Sequence, residues 1–196
     1  MIPGDPAPAP SSVEKPVVDN DPVPAPIAVQ SGPLVSPLEL IAIGTIVVLD
    51  QITKFAVKST IPLYAKHVVI PNFLDITHVQ NTGAAFGLLN AAEFPYKSAV
   101  MIGIATLALV AISLFARQLG AHERLSRYGL VLILGGAFGN LIDRAIAGYV
   151  VDFVDVYWGS VHFWAFNVAD AAITIGAILV LLDMVGLGRR DAPHPV

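Results

Sequence analysis

Two aspartates, Asp152 and Asp170, stand at the ends of apolar runs in a chain whose apolar runs carry few charges. Asp152 belongs to Val150-Val151-Asp152-Phe153, just past one run, and Asp170 to Phe166-Asn167-Val168-Ala169-Asp170, at the head of the next. An ionisable group at membrane depth costs roughly 2.5 kcal/mol or more, so it marks a functional site by default. Two carboxylates that converge suffice for acid/base hydrolysis, one carrying the proton that the other lacks. On composition alone a plainer reading stays open, with Asp170 a first-turn helix acid and Asp152 a solvated loop residue.

Other polar residues are spaced to support such a pair. Gly136, Asn140 and Asp143 fall at i, i+4 and i+7 and share one helix face, with Gly135 and Gly139 allowing close helix approach. Asn140 and Asp143 could equally be interhelical glue, with Arg144 a snorkelling anchor or the partner of Asp143. Asn167 precedes Asp170 by three positions, on the same side of a helix start. Asp50 and Lys54, acid before base at i and i+4, read as a local ion pair near the outer end of the first helix. Asn81-Thr82-Gly83-Ala84-Ala85-Phe86-Gly87 could form a turn that holds a substrate backbone, or a loop re-entering the membrane. Metal chemistry is not expected. His67, His78, His122, His162 and His194 show no HExxH or paired ligand spacing, and cysteine is absent. There is no G-x-S-x-G elbow either.

The elements that must position these residues are apolar helices. The chain of 196 residues is 55% apolar and 13% charged, against about a quarter charged in ordinary soluble domains. A net charge of −4 gives no footprint for nucleic acid. Four runs, about 37–57, 97–116, 128–147 and 166–187, each approach the ~20 residues that cross a bilayer. Residues 1–36 form a Pro/Ala-rich segment, expected to be a disordered tail, and lack the basic-then-apolar order of a secretory signal. Arg117, Arg124, Arg127, Arg189 and Arg190 place the 117–127 connection and both tails, including 188–196, on the cytoplasmic side. Asp152 and Asp170 then meet on the outer side. The stretch His67–Phe86 suggests two or three short strands, and Tyr149, Tyr157, Trp158 and Trp164 in the 148–165 loop suit an aromatic interface belt. The expected class is an α-helical integral membrane protein with four transmembrane helices and a small extracytoplasmic β-element.

Five blocks in order make the resemblance specific. Asp50-Gln51-Ile52-Thr53-Lys54, Asn81-Thr82-Gly83-Ala84-Ala85-Phe86, Gly136 through Arg144, Val150–Phe153 and Phe166–Asp170 resemble the lipoprotein signal peptidases, or signal peptidase II family. The match covers about 37–187. The resemblance implies a bacterial inner-membrane aspartic endopeptidase without cofactor, with Asp152 and Asp170 as catalytic dyad. Asn140, Asp143, Arg144 and Asn167 would lie around that dyad, with Gly136 and Ala169 in the same blocks and Asp50, Lys54 and Asn81 nearer the substrate. It implies as substrate a prolipoprotein bearing a diacylglyceryl-modified cysteine, cut on the N-terminal side of that cysteine, and inhibition by globomycin. Membrane lipid is the other expected partner, and the expected state is a monomer. A proton-coupled transporter using the same acids as a relay, or an adaptor working through the proline-rich tail, are the rival classes.

Overall fold

The computed structural model describes residues 36–83, 95–119 and 123–187. The expected tails, with Arg189, Arg190 and His194, the Ala84-Ala85-Phe86 end of the Asn81 block, and His122 lie outside them. Within the described residues run four α-helices: α1 (Pro37–Thr60), α2 (Lys97–Ala116), α3 (Arg124–Ala147) and α4 (Val168–Met184). Their ends fall within about one turn of those expected, and α3 begins at Arg124 rather than Tyr128. Two of the starts are fixed by capping boxes. At α1 the Ser36 hydroxyl accepts from Glu39 N–H, the Glu39 carboxylate accepts from Ser36 N–H, and Pro37 takes the first helical position. At α4 Asn167 and Asp170 form the same reciprocal cap.

The helices turn apolar side chains outward. On α1, Ile41, Leu49, Ile52 and Phe55 are exposed, and on α2 only Met101 and Leu109 are buried. Water would not tolerate so broad an apolar surface. Three of the helices, α1, α2 and α3, are long and apolar enough to cross a membrane. The fold is that of a helical membrane protein with a small sheet. Within it α3 and α4 touch backbone to backbone. A Cβ on Gly129 would fall 2.5 Å from the Gly176 carbonyl oxygen, and one on Gly176 or Gly136 would collide with the carbonyl of Gly129 or Ala169.

Four antiparallel strands, β1 (Lys66–Ile70), β2 (Leu74–Asn81), β3 (Val150–Trp158) and β4 (Val161–His162), form the sheet in that order. Two of them, β1 and β2, come from the 67–86 stretch, as the expected two or three short strands require. The correction is that β3 and β4 occupy the connection read as an aromatic loop. Asp152, expected at a helix end, is therefore a strand residue. The run Val150-Val151-Asp152-Phe153-Val154 suits a pleated surface, but its partner β2 is some seventy residues away and invisible to local pattern.

One irregularity in that pairing matters for the site. Ile76 pairs with Val154, but Val79 pairs with Asp152 and Asn81 with Val150, so β2 holds one extra residue between Ile76 and Val79. A one-residue slip moves a side chain to the opposite face. The bulge thus puts Asn81 and Asp152 on one face as diagonal neighbours.

Candidate active site

Two interlocked groups of side chains occupy the junction of α1, α3, α4 and the sheet. The first surrounds Lys54, which is almost fully buried. Its ammonium contacts Asp50 Oδ2 at 2.8 Å and Asp143 Oδ2 at 2.9 Å, and donates to Asn140 Oδ1 at 2.9 Å, so all three donors are engaged. Asp50 Oδ1 also accepts from the Ala169 backbone N–H at 2.9 Å, which ties α1 to the first turn of α4. Gly139 admits this arrangement, since a Cβ there would lie 2.6 Å from Asp50 Oδ2. Gln51 Nε2 donates to Asp143 Oδ1 at 3.0 Å and to the Gly139 carbonyl at 3.2 Å.

These contacts revise the expected pairing. Asp50 and Lys54 do bond at i and i+4, but deep in the protein rather than as an interface pair. Asp143 pairs with Lys54 and not with Arg144. The Arg144 guanidinium reaches the other way, to the carbonyls of Asn140 at 3.3 Å and Gly83 at 2.9 Å. Gln51 was not singled out by its sequence, although an amide inside an apolar helix needs a partner and so carried a signal.

The second group holds Asp152 and Asp170. Asn167 Nδ2 donates to Asp152 Oδ1 at 2.7 Å, and Asn81 Nδ2 donates to Asp152 Oδ2 at 3.0 Å. Asn140 Nδ2 donates to Asp170 Oδ1 at 2.8 Å. The Asn167 backbone N–H donates to Asp170 Oδ2 at 3.4 Å, and Asn167 Oδ1 accepts from the Asp170 N–H at 2.9 Å. Asn140 and Asn167 are themselves linked at 3.3 Å, so a chain of amides joins the two carboxyls. Asn81, expected to meet a substrate backbone, has Asp152 as a partner, and its Oδ1 accepts from Gly83 N–H at 2.9 Å, an Asx-type turn.

Asp152 lies on β3, outside the helices, and burial pushes its carboxyl up to about 7. The charge of Asp170 pushes the same way, against the donors Asn81 and Asn167 and the charge of Lys54. Such a group changes protonation in the range where acid/base catalysts work. Both carboxyls open onto one cavity of about 600 Å³. Its polar wall includes Asn81, Asn140 and Arg144, and its apolar walls descend along Ala105 and Ala108 of α2 and Ile173 and Ile175 of α4. Among the described residues no three His, Asp or Glu side chains are grouped as metal ligands would be.

Known proteins share this arrangement of chain and fold. A family model described as signal peptidase (SPase) II matches residues 42–186. The lipoprotein signal peptidase of Geobacter metallireducens is 44% identical over 145 residues, covering 74% of this chain and 88% of its own length. That of Pseudomonas putida is 39% identical over 149 residues, 76% of this chain and 86% of its own. A bacterial membrane enzyme solved by the in meso method at 2.3 Å superposes with a TM-score of 0.69 at 30% identity, covering 81% of this chain and 94% of that one. The class is thereby defined as a membrane-embedded peptidase of the aspartic type. Within that class the chain belongs to the signal peptidase II family, the peptidases that cleave signal peptides from prolipoproteins.

Proposed function

We propose that Asp152 and Asp170 are the catalytic pair of this peptidase, acting on a prolipoprotein whose cysteine carries a diacylglyceryl group and cutting on the N-terminal side of that cysteine. The observation that carries the reading is one juxtaposition. Two carboxyls, joined through amides, open onto one cavity with apolar helix walls, and one of them titrates near neutrality. Asp152, protonated, would donate to the scissile carbonyl. Asp170, in the first turn of α4 where the helix dipole favours negative charge, would draw the proton from the attacking water. The roles then exchange as the amine leaves. Asn81, Asn140 and Asn167 hold the two carboxyls in place, and the Lys54 group braces them from behind. Arg144 and Gly136 fix α3 against the sheet side and α4.

The topology that fits has α4 as a fourth span, although it counts only 17 helical residues. The basic connection Arg117 to Arg127 and both termini would face the cytoplasm of a bacterial inner membrane, with the sheet and the catalytic pair outside. The enzyme would work as a monomer, with globomycin as an inhibitor. A transporter relay has less support, because Asp50, Asp143, Asp152 and Asp170 gather in one site instead of spacing across the helices. The test is cleavage of a lipidated precursor by purified protein. Asp152→Asn and Asp170→Asn should each abolish it and a chelator should not. Hydrolysis persisting in either variant would remove the assignment.

A further inference from the structure

The cavity has a second distinctive edge. Strand β3 turns into β4 through a two-residue loop, with Gly159 at φ +61°, as the first position of such a hairpin requires. The chain then bows away from the sheet at 163–165 and rejoins it at Phe166, whose carbonyl accepts from both Phe153 and Val154 N–H. Phe163 and Trp164 stand on this bow, 55% and 63% exposed, and both line the cavity. The Phe163 ring meets Phe166 edge-on at 6.0 Å, and its N–H donates to the Val156 carbonyl at 2.8 Å.

A clasp on the sheet fixes where the bow begins. The His162 ring stacks on Tyr157, with centroids 4.7 Å apart, and its Nδ1 lies 3.0 Å from both Asp155 oxygens. The Tyr157 hydroxyl donates to buried Asp75 at 3.2 Å, while Lys66 bonds Asp75 at 2.8 Å and sits 5.6 Å over the Tyr157 ring. None of these groups touches Asp152 or Asp170. His162 connects directly to the cavity wall through the residue that follows it, Phe163.

We propose that Phe163 and Trp164 are specificity residues that grip an acyl chain of the substrate, and that His162 is the positioning residue that sets them. The inference rests on the peptidase reading above. An acyl chain is the occupant because the two aromatics share the cavity with Ala105 and Ala108 of α2 and Ala171, Ile173 and Ile175 of α4, apolar positions on two apolar helices. A peptide side chain would have no use for a wall that runs on down two helices. Large rigid aromatics suit such a grip, since they lose little rotamer freedom on contact.

The test uses the full chain in lipid nanodiscs and two series of synthetic precursors. One series changes the acyl groups from palmitoyl to octanoyl with the peptide fixed, and the other changes the residue before the cysteine from Ala to Leu with the lipid fixed. Wild type should prefer palmitoyl. Phe163→Ala and Trp164→Ala should raise KM for the palmitoyl substrate about tenfold with kcat within about twofold, and erase the acyl preference. His162→Ala should do the same more weakly, and His162→Phe, which keeps the stack, should restore much of the loss. Acyl preference that survives both aromatic variants overturns the proposal, as does a change confined to the peptide series. Equal loss of kcat on every substrate would also overturn it. Wild type that cleaves no lipidated precursor would sink the peptidase reading itself, so the two failures are told apart.

Discussion

Asp50 and Asp143 share a lysine, while Asp152 and Asp170, a few side chains away, are held by amides. The first two face Lys54 at 2.8 and 2.9 Å as ion pairs. The second two form no ion pair among the described residues, and their partners Asn81, Asn140 and Asn167 are neutral donors. Both pairs sit in the same junction, so depth does not separate them. The difference is that a cation in contact would lock a carboxylate in one protonation state, whereas amides orient it and leave the proton free to move. On the catalytic assignment proposed above, the pair that does the chemistry is told apart by having no cation in contact with it.

The comparison can be broken by exchanging charge for amide in each pair. Asp152→Asn or Asp170→Asn should lower the rate of precursor cleavage by about 10³-fold or more, measured as kcat on purified protein, with the fold retained. Lys54→Met should act on the fold instead, costing about 3–5 kcal/mol by stranding the buried Asp50 and the half-buried Asp143 carboxylates. Thermal unfolding in detergent should report that loss, with partial recovery in the Lys54→Met/Asp143→Asn double variant.

The pH dependence sharpens the contrast further. Because burial raises the Asp152 carboxyl to about 7, its contribution to stability is fully present below the ordinary value near 4 and lost as pH rises through about 7. Asp152→Asn should therefore gain stability over wild type at pH 8, by an amount of order a few kcal/mol at most and read as a higher melting temperature, and gain little at pH 4. Cleavage by wild type should fall along the same alkaline limb. A smaller effect is expected from packing. Gly136→Ala pushes a methyl into the Ala169 carbonyl and should lower both stability and activity, whereas Gly44→Ala, with open space around it, should stabilise α1 by about 0.5–1 kcal/mol. Equal melting shifts in the two would count against the close α3–α4 crossing.

Much of this was legible in the sequence, and the reasons are physical. Helices α1 to α4 announce themselves through length and hydropathy, which are local properties. The residues of the site were legible as types, because Asn, Asp and Lys inside apolar runs are costly and must be explained. Their partners were not. That Lys54 meets Asp143, that Arg144 turns to Gly83, and that Asp152 sits on a strand beside β2 all depend on elements far apart in the chain. The bulge between Ile76 and Val79 is the clearest case, since nothing local in Thr77 or His78 foretells a slip of register.

Asn167 is at once the cap of α4, the donor to Asp152 and the neighbour of Asn140. One side chain thus ties the start of a helix to the setting of both carboxyls. Until the first turn of α4 has wound and docked against α3, Asp152 has no Asn167 to hold it and Asp170 no fixed place. On the catalytic assignment proposed above, a half-inserted or frayed copy would then be unarmed, and the other chains of the membrane would be spared cleavage by unfinished enzyme.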